Sequence, residues 1–284
     1  MLAYRHAFHA GNHADVLKHL TLVALLAHLN LKDKGWRFVD THAGAGGYSL
    51  KSDYANKKAE YRDGIARLWA AVDAPPAVAD YLARVREFND GGALAQYPGS
   101  PAFAAAAMRP QDQLRLFELH PTDHKILSGY LGDVAGVEVA MSDGFAAIER
   151  VLPPPTRRGL LLIDPSYELK SDYAKTLVAL REALARFADG MVMIWLPQVQ
   201  LIEATQLPKR LTAATPGVAK KGWLLARLSA RGSRSDGFGL LGSSVFVVNP
   251  PHTLAPMLRT TLPWLVQRLG QDEHAGWQVE AAAA

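Results

Sequence analysis

The chain of 284 residues contains no cysteine. Disulfide frameworks, zinc ribbons, thiol nucleophiles and iron–sulfur clusters are thereby excluded, and an intracellular home fits best. Long apolar runs are missing too. None reaches a membrane-spanning length, and the opening stretch Met1–His19 is interspersed with Arg, Lys and His, so it holds no signal-peptide core. A large excess of charge of one sign is also absent: 31 Lys plus Arg against 27 Asp plus Glu leave +4, compatible with a nucleic-acid partner without implying one. What is present is 49% hydrophobic and 20% charged residues. That composition excludes disorder and predicts a soluble, cytoplasmic globular protein built as one large domain or as a domain carrying an insertion.

From Gly35 onward short apolar runs alternate with longer helical patterns, the signature of an α/β fold with a mostly parallel sheet. Seven strands are expected, at Trp36–Asp40, Leu114–Glu118, Val137–Met141, Gly159–Asp164, Met191–Leu196, Trp223–Arg231 and Ser243–Val248. Five of them end at a polar residue: Asp40, Glu118, Asp143 two residues on, Asp164 and Asn249. Ligands of open α/β sheets lie at the carboxyl ends of the strands, so these residues are expected around one crevice. About 75 residues separate Asp40 from Glu118, where a βαβ unit needs about 30. The excess, residues 51–93, is rich in helix formers around Pro75-Pro76 and reads as an inserted helical subdomain within a core of residues 35–50 and 94–279. Residues 1–34 form an N-terminal segment and a helix whose stripe of Val16, Leu17, Leu20, Val23, Ala24 and Ala27 faces the sheet. Residues 280–284 read as an alanine-rich tail without a role. The segment Ala204–Ser235 holds Lys209, Arg210, Lys220, Lys221, Arg227, Arg231 and Arg234 and no acidic residue. It is either a solvated edge hairpin with a basic loop or a phosphate-tracking surface.

Three motifs carry chemistry. Phe38-Val39-Asp40-Thr41-His42-Ala43-Gly44-Ala45-Gly46-Gly47-Tyr48 is a strand entering a glycine-rich turn, whose backbone at Gly44 and Gly46 lets a cofactor approach closely. Its spacing departs from G-x-G-x-x-G, which disfavours a nicotinamide dehydrogenase. Glu118, closing the second strand, is placed to accept the ribose hydroxyls of an adenosine cofactor. Asp143-Gly144 offers an acceptor to an adenine amine, or is an ordinary Asx turn. The third motif, Leu160-Leu161-Leu162-Ile163-Asp164-Pro165-Ser166-Tyr167, delivers an acid, a proline and an aromatic to the crevice. Methyl transfer to an exocyclic amine needs acceptors that grip the two amine hydrogens and restore a lone pair delocalised into the purine. The Asp164 carboxylate and the Pro165 carbonyl supply two, and the proline holds its own φ. Tyr167 would offer a flat face for an extruded base, worth about 1–3 kcal/mol.

The chain resembles the bacterial 23S rRNA adenine-N6 methyltransferase family RlmJ over nearly its whole length. The resemblance rests on Tyr4-Arg5-His6 followed by Phe8-His9-Ala10-Gly11-Asn12-His13-Ala14-Asp15-Val16-Leu17-Lys18-His19, on Asp40-Thr41-His42-Ala43-Gly44-Ala45-Gly46, on Tyr97-Pro98-Gly99-Ser100-Pro101, on Glu118-Leu119-His120-Pro121, on Asp143-Gly144 and on Asp164-Pro165. It implies a Rossmann-like class I fold with a helical insertion, S-adenosyl-L-methionine (SAM) as methyl donor and 23S rRNA as partner, with N6 of the adenine conventionally numbered 2030 as target. By the same resemblance His19, His42, Ser100, Glu118, Asp143, Gly144 and Asp164 contact the cofactor, Asp164 is the catalytic acceptor and Tyr4 meets the RNA. Lys18 and His6 are further candidates for RNA contact. A monomer without metal or membrane attachment is expected.

Where the family has Asp-Pro-Pro-Tyr, this chain has Ser166 in place of the second proline, a loss of rigidity worth about 0.4–1 kcal/mol. Asn249-Pro250-Pro251-His252 also follows an apolar strand, but its place in chain order makes it the end of an outer strand rather than the acceptor site. His9 and His13 are four apart with His6 and His19 nearby, yet His-Glu-x-x-His is lacking and no metal is expected. A DNA adenine methyltransferase and a non-catalytic nucleic-acid-binding protein involved in use of external DNA are the competing functions.

Overall fold

The computed structural model describes residues 6–52, 59–233, 237 and 239–284. All seven expected strands are present: β1 (Arg37–Asp40), β4 (Gln113–Phe117), β5 (Val137–Ala140), β6 (Gly159–Ile163), β7 (Met191–Gln198), β8 (Trp223–Ser229) and β9 (Gly242–Val248). Strands β2 (Gly47–Ser49) and β3 (Gln96–Pro98) form a separate two-stranded ribbon. The main sheet has eight strands rather than seven, in the order β10-β8-β9-β7-β6-β1-β4-β5. Its eighth member, β10 (Gly276–Ala282), pairs antiparallel with β8, Glu280–Ala282 lying opposite Leu225–Trp223. The supposed tail is therefore an edge strand. Alanine has little β preference of its own, and what makes this segment a strand is the open edge of β8 beside it. The same pairing places β8 inside the sheet, so the basic segment is no edge hairpin.

Strands β7, β6, β1, β4 and β5 run parallel, while β9, β8 and β10 join by antiparallel pairs. Alternation along the strands divides the interior in two, as a pleated sheet covered on both faces requires. Phe38, Leu114, Leu160, Leu162 and Met193 face one core, whereas Val39, Leu161, Ile163, Val192 and Ile194 face the other. The first core is closed by α1 (His13–Asn30), α4 (Ser100–Ala107), α5 (Pro121–Leu131) and α9 (Leu254–Leu269). The second is closed by α6 (Gly144–Val151), α7 (Lys170–Arg186) and α8 (Ile202–Ala214).

Helix α1 departs from the expected amphipathic pattern. Val16, Leu17 and Leu20 are buried, but so are Leu22, Leu25, Leu26 and Leu29, while Ala27 is exposed. Its first half is buried all round and includes His13, Asp15, Lys18, His19 and Thr21. A helix enclosed on every side has no solvent face to generate a stripe, and these polar groups face the interior. Asn12 caps the helix, its side chain accepting from the amides of Ala14 and Asp15 at 3.0 and 2.9 Å.

Between β2 and β3, a 3₁₀ turn (Glu60–Asp63), α2 (Ile65–Leu68) and α3 (Pro76–Glu87) build the inserted segment. Ile65, Leu68, Val78, Tyr81, Leu82 and Val85 are fully buried and belong to the core of α1. The insertion thus extends the main core rather than making its own.

Candidate active site

Chain order runs from β1 outward to β4 and β5, then returns to β6 and β7 on the other side, so the reversal falls between β1 and β6. That is where a doubly wound sheet opens a crevice at its carboxyl edge. Asp40 ends β1 opposite Leu162, and Asp164 follows two residues later on the neighbouring strand. Glu118 and Asp143 follow β4 and β5 on the same edge.

Asp164 is tied to the first helix. Its Oδ2 accepts from Lys18 Nζ at 2.6 Å, and the same ammonium lies 2.9 Å from Asp15 Oδ1. Asp15 Oδ2 in turn accepts from the Gly11 amide and contacts His6 Nε2, both at 2.9 Å. Burial works against the Lys18 charge, but Asp15 and Asp164 outweigh it and hold the ammonium above the ordinary lysine range. Burial likewise opposes ionisation of Asp15, which His6 and Lys18 nevertheless pull below the carboxylate range. Lys18 is therefore no surface contact for RNA: it is 4% exposed and bridges two carboxylates. The bridge fixes one Asp164 oxygen; no other hydrogen bond to this carboxylate occurs among the described residues. His6 sits in a 3₁₀ turn with its ring 5.1 Å from that of Tyr48. Tyr4 lies outside the described residues.

The cofactor candidates line the same edge. Glu118 accepts from the amides of Gly44 and His120 at 2.8 and 2.6 Å, and burial raises its pKa. Gly44 and Gly46 have φ of +63° and +81°, and a Cβ on Gly44 would lie 2.2 Å from the Tyr48 hydroxyl. Asp40 is fully buried. Its Oδ2 accepts from Ser100 Oγ at 2.6 Å and its Oδ1 from the His42 amide at 3.1 Å, while burial pushes its pKa up to about 7. His42 pairs with Thr41 Oγ1 at 2.8 Å and meets Phe145 edge-on at 4.7 Å; burial lowers it to about 4. Asp143 Oδ1 caps α6 through the Phe145 amide at 2.9 Å, the Asx geometry, with the side chain at the surface. A Cβ on Gly144 would stand 2.0 Å from the Thr41 carbonyl, which explains glycine there. His19 is 1% exposed, pairs through Nδ1 with the Tyr97 hydroxyl at 2.8 Å, and has no partner for Nε2 among the described residues.

Two expectations require correction. Tyr167 offers no free face to a base. Its φ of +54° turns the ring into the second core, 6% exposed and 4.7 Å from Tyr173, with its hydroxyl donating to the Trp195 carbonyl at 2.8 Å. It anchors the Asp164-Pro165 turn to β7. Asn249 does not join the crevice either: β9 is antiparallel to β7, pairing Val248 with Val192, and so ends at the opposite edge.

Sequence reasoning passed over Trp195, inside the apolar run of β7. Ile163 pairs with Ile194, so Trp195 lies beside Asp164; it is half-buried, has Lys18 Nζ 5.8 Å from its ring, and its indole N–H is unpartnered among the described residues. Its place within that apolar run left no local signal in the sequence. Ser166 is half-buried, and no hydrogen bond to its amide or hydroxyl occurs among the described residues. Pro165 is buried. The basic segment is dispersed: Lys209 and Arg210 are exposed on α8, Lys220 and Lys221 precede β8, Arg227 sits 3.9 Å from Glu280, and Arg231 donates to the Leu240 carbonyl. Arg234 lies outside the described residues. His9 meets Glu60 at 2.9 Å, and no grouping of side chains suited to a metal ion occurs among the described residues.

Residues 33–282 match the family model described as ribosomal RNA large subunit methyltransferase D, RlmJ. The chain is 43% identical over 281 residues to ribosomal RNA large subunit methyltransferase J of Haemophilus influenzae, covering 99% of this chain and 98% of the other. It is 42% identical over 269 residues to the Escherichia coli protein of the same name, covering 95% and 94%. A solved Legionella pneumophila structure is 33% identical, with a TM-score of 0.87 over 96% of this chain and 98% of the other.

Proposed function

Because the chain belongs to the ribosomal RNA large subunit methyltransferase family RlmJ, we propose that it transfers a methyl group from S-adenosylmethionine to the exocyclic N6 of an adenine in 23S rRNA. The observation that carries this reading is the Asp164-Pro165 turn at the strand-order reversal, held by Lys18 from the first helix. Lys18 donates to one oxygen of the Asp164 carboxylate and leaves the other as an acceptor for the amine. Pro165, with fixed φ, presents its carbonyl as the second acceptor. Two acceptors gripping the two N–H groups turn the lone pair out of the purine plane, and Asp164 is placed to take the proton that N6 releases on becoming N-methylated. With Tyr167 buried, Trp195 is the aromatic face beside Asp164 on which an extruded adenine stacks. Alignment of this kind is worth about 7–11 kcal/mol of barrier.

The residues present fit the donor. Glu118 offers carboxylate oxygens beside the glycine turn for ribose hydroxyls, the outer oxygen of Asp143 remains for an adenine amine, and the orphaned His19 Nε2 is a polar atom awaiting a ligand. Ser100 acts through Asp40. When bound, S-adenosylmethionine supplies an electrophilic methyl group on sulfur. A monomer working in the cytoplasm, where ribosomal RNA is made and modified, accords with this reading. Mass-spectrometric mapping of N6-methyladenine in 23S rRNA tests the proposal. A strain lacking the gene should lose the mark at one adenine and regain it with the unaltered gene but not with Asp164→Asn; an unchanged pattern removes the proposal.

A further inference from the structure

The sheet edge opposite the catalytic crevice carries a basic cavity. Strand β9 ends there and β8 begins beside it, Trp223 pairing with Val248 on one side and with Ala282 of β10 on the other. Helix α1 brings His28 to the same place, ten residues beyond Lys18 and about 15 Å further along the axis. These elements enclose about 480 Å³, with His28, Lys221, Trp223, Pro250, Pro251 and His252 in the lining. Small-ligand sites span roughly 300–1,000 Å³, so there is room for a phosphate with its sugar.

The lining holds basic side chains and, among the described residues, no carboxylate. Lys221 and His252 are exposed and His28 is half-buried, and no hydrogen bond or ion pair to any of these three side chains occurs among the described residues. Lys32 and Arg158 act on the same spot, Arg158 being anchored to the end of α1 through the Leu29 carbonyl at 2.7 Å. Burial lowers the His28 pKa, and the four charged groups that weigh most on it besides, Lys221, Arg158, His252 and Lys32, are all basic. The backbone holds this crowding in place: Asn249 Oδ1 accepts from the Lys221 amide at 2.8 Å, and the Asn249 amide donates to the Gly222 carbonyl at 2.9 Å. Like charges gathered without a counter-charge create a positive potential complementary to an anion. Trp223 and the two prolines add an apolar wall, which a bare inorganic ion would not use.

We propose that this cavity holds a backbone phosphate of the RNA substrate, its sugar against Trp223 and the prolines, as an anchor remote from the reacting adenine. The identity of the polyanion rests on the proposed function, whereas the site itself rests on the cavity and its unpaired basic side chains. It gives Lys221 a use that Lys209 and Arg210, exposed on α8, do not share.

Binding of a 23S rRNA transcript to the full-length protein, followed by filter retention across salt concentrations, tests this. Lys221→Ala should weaken binding about sixfold near 0.1 M salt and lower the slope of log K against log salt by about 0.8, the counterion release of one phosphate. Lys209→Ala, which removes the same charge outside the cavity, should change both by much less. Equal effects of the two variants, or none from Lys221→Ala, overturn the proposal. In the unaltered chain, lysine acetylation read by mass spectrometry should show Lys221 shielded by the transcript and Lys209 not. Shielding of Lys221 by adenosine monophosphate but not by the transcript would mark a free-nucleotide site and overturn the proposal too. Binding is read here without methyl transfer. Protein that shields Lys221 yet leaves 23S rRNA unmethylated therefore keeps the anchor and loses the proposed function, and methylation with an unmoved salt slope does the opposite.

Discussion

Two tetrapeptides of this chain end buried apolar strands in nearly the same way: Asp164-Pro165-Ser166-Tyr167 after β6, and Asn249-Pro250-Pro251-His252 after β9. By local pattern the latter is the better equipped, since it keeps the proline pair that Ser166 interrupts. The sheet separates them. Strand β6 runs parallel to β1, so Asp164 arrives beside Asp40, whereas β9 runs antiparallel to β7 and carries Asn249 to the far edge. There every polar atom of the amide is used: Oδ1 accepts from the Lys221 amide at 2.8 Å, and Nδ2 donates to the carbonyls of Ala188 and Gly190 at 2.8 and 2.7 Å. Asp164 is instead tethered by one lysine, and its second oxygen has no hydrogen-bond partner among the described residues. Strand direction, more than the peptide, decides which motif does chemistry and which holds loops together.

The largest expected effect falls on the first motif. Asp164→Asn keeps the volume and lets Lys18 retain Asp15, so the protein should stay folded while methyl transfer to 23S rRNA drops about a thousandfold or more in single-turnover assays. Asn249→Ala should do the reverse. It strands one amide and two carbonyls and should cost about 2–3 kcal/mol in urea unfolding, with the turnover of folded protein nearly unchanged. If Asn249→Ala silences folded protein and Asp164→Asn spares it, the comparison is inverted.

A titration sharpens the contrast. Burial raises the folded pKa of Asp40 from 3.8 to about 7, so the native state holds a proton that the unfolded chain has lost. That contribution to stability is full below 3.8 and vanishes as pH rises through 7, a slope of up to about 1.4 kcal/mol per pH unit. Asp40→Asn should flatten this slope in unfolding measured across pH 4–7, whereas Asn249→Ala, which leaves Asp40 and its surroundings in place, should retain it. The smallest effect belongs to Ser166→Pro. With no hydrogen bond to its amide among the described residues, restoring the family's second proline should stabilise by about 0.4–1 kcal/mol and preserve or improve turnover. A severe loss of activity there would give Ser166 a role of its own.

The strands and their terminal acids were legible because parallel strands buried on both faces write themselves as short apolar runs ending at a polar residue. What escaped was set by neighbours. The pairing of Lys18 with Asp164 joins residues 146 apart, and nothing local distinguishes a lysine facing inward from one facing solvent. The β-strand character of Gly276–Ala282 comes from the vacant edge of β8. Tyr167 reads as an exposed platform until its positive φ turns the ring under β7. Trp195 is hidden by the apolar residues before it.

The sharing of one core by the insertion and α1 has a consequence for how the molecule breathes. A lid with its own interior opens and closes independently, whereas here unravelling α3 would open the core that it shares with α1, the helix that bears Lys18 and His19. Amide protons of the two helices should therefore exchange as one cooperative unit, and pruning the insertion to reach a minimal enzyme would dismantle the catalytic edge along with it.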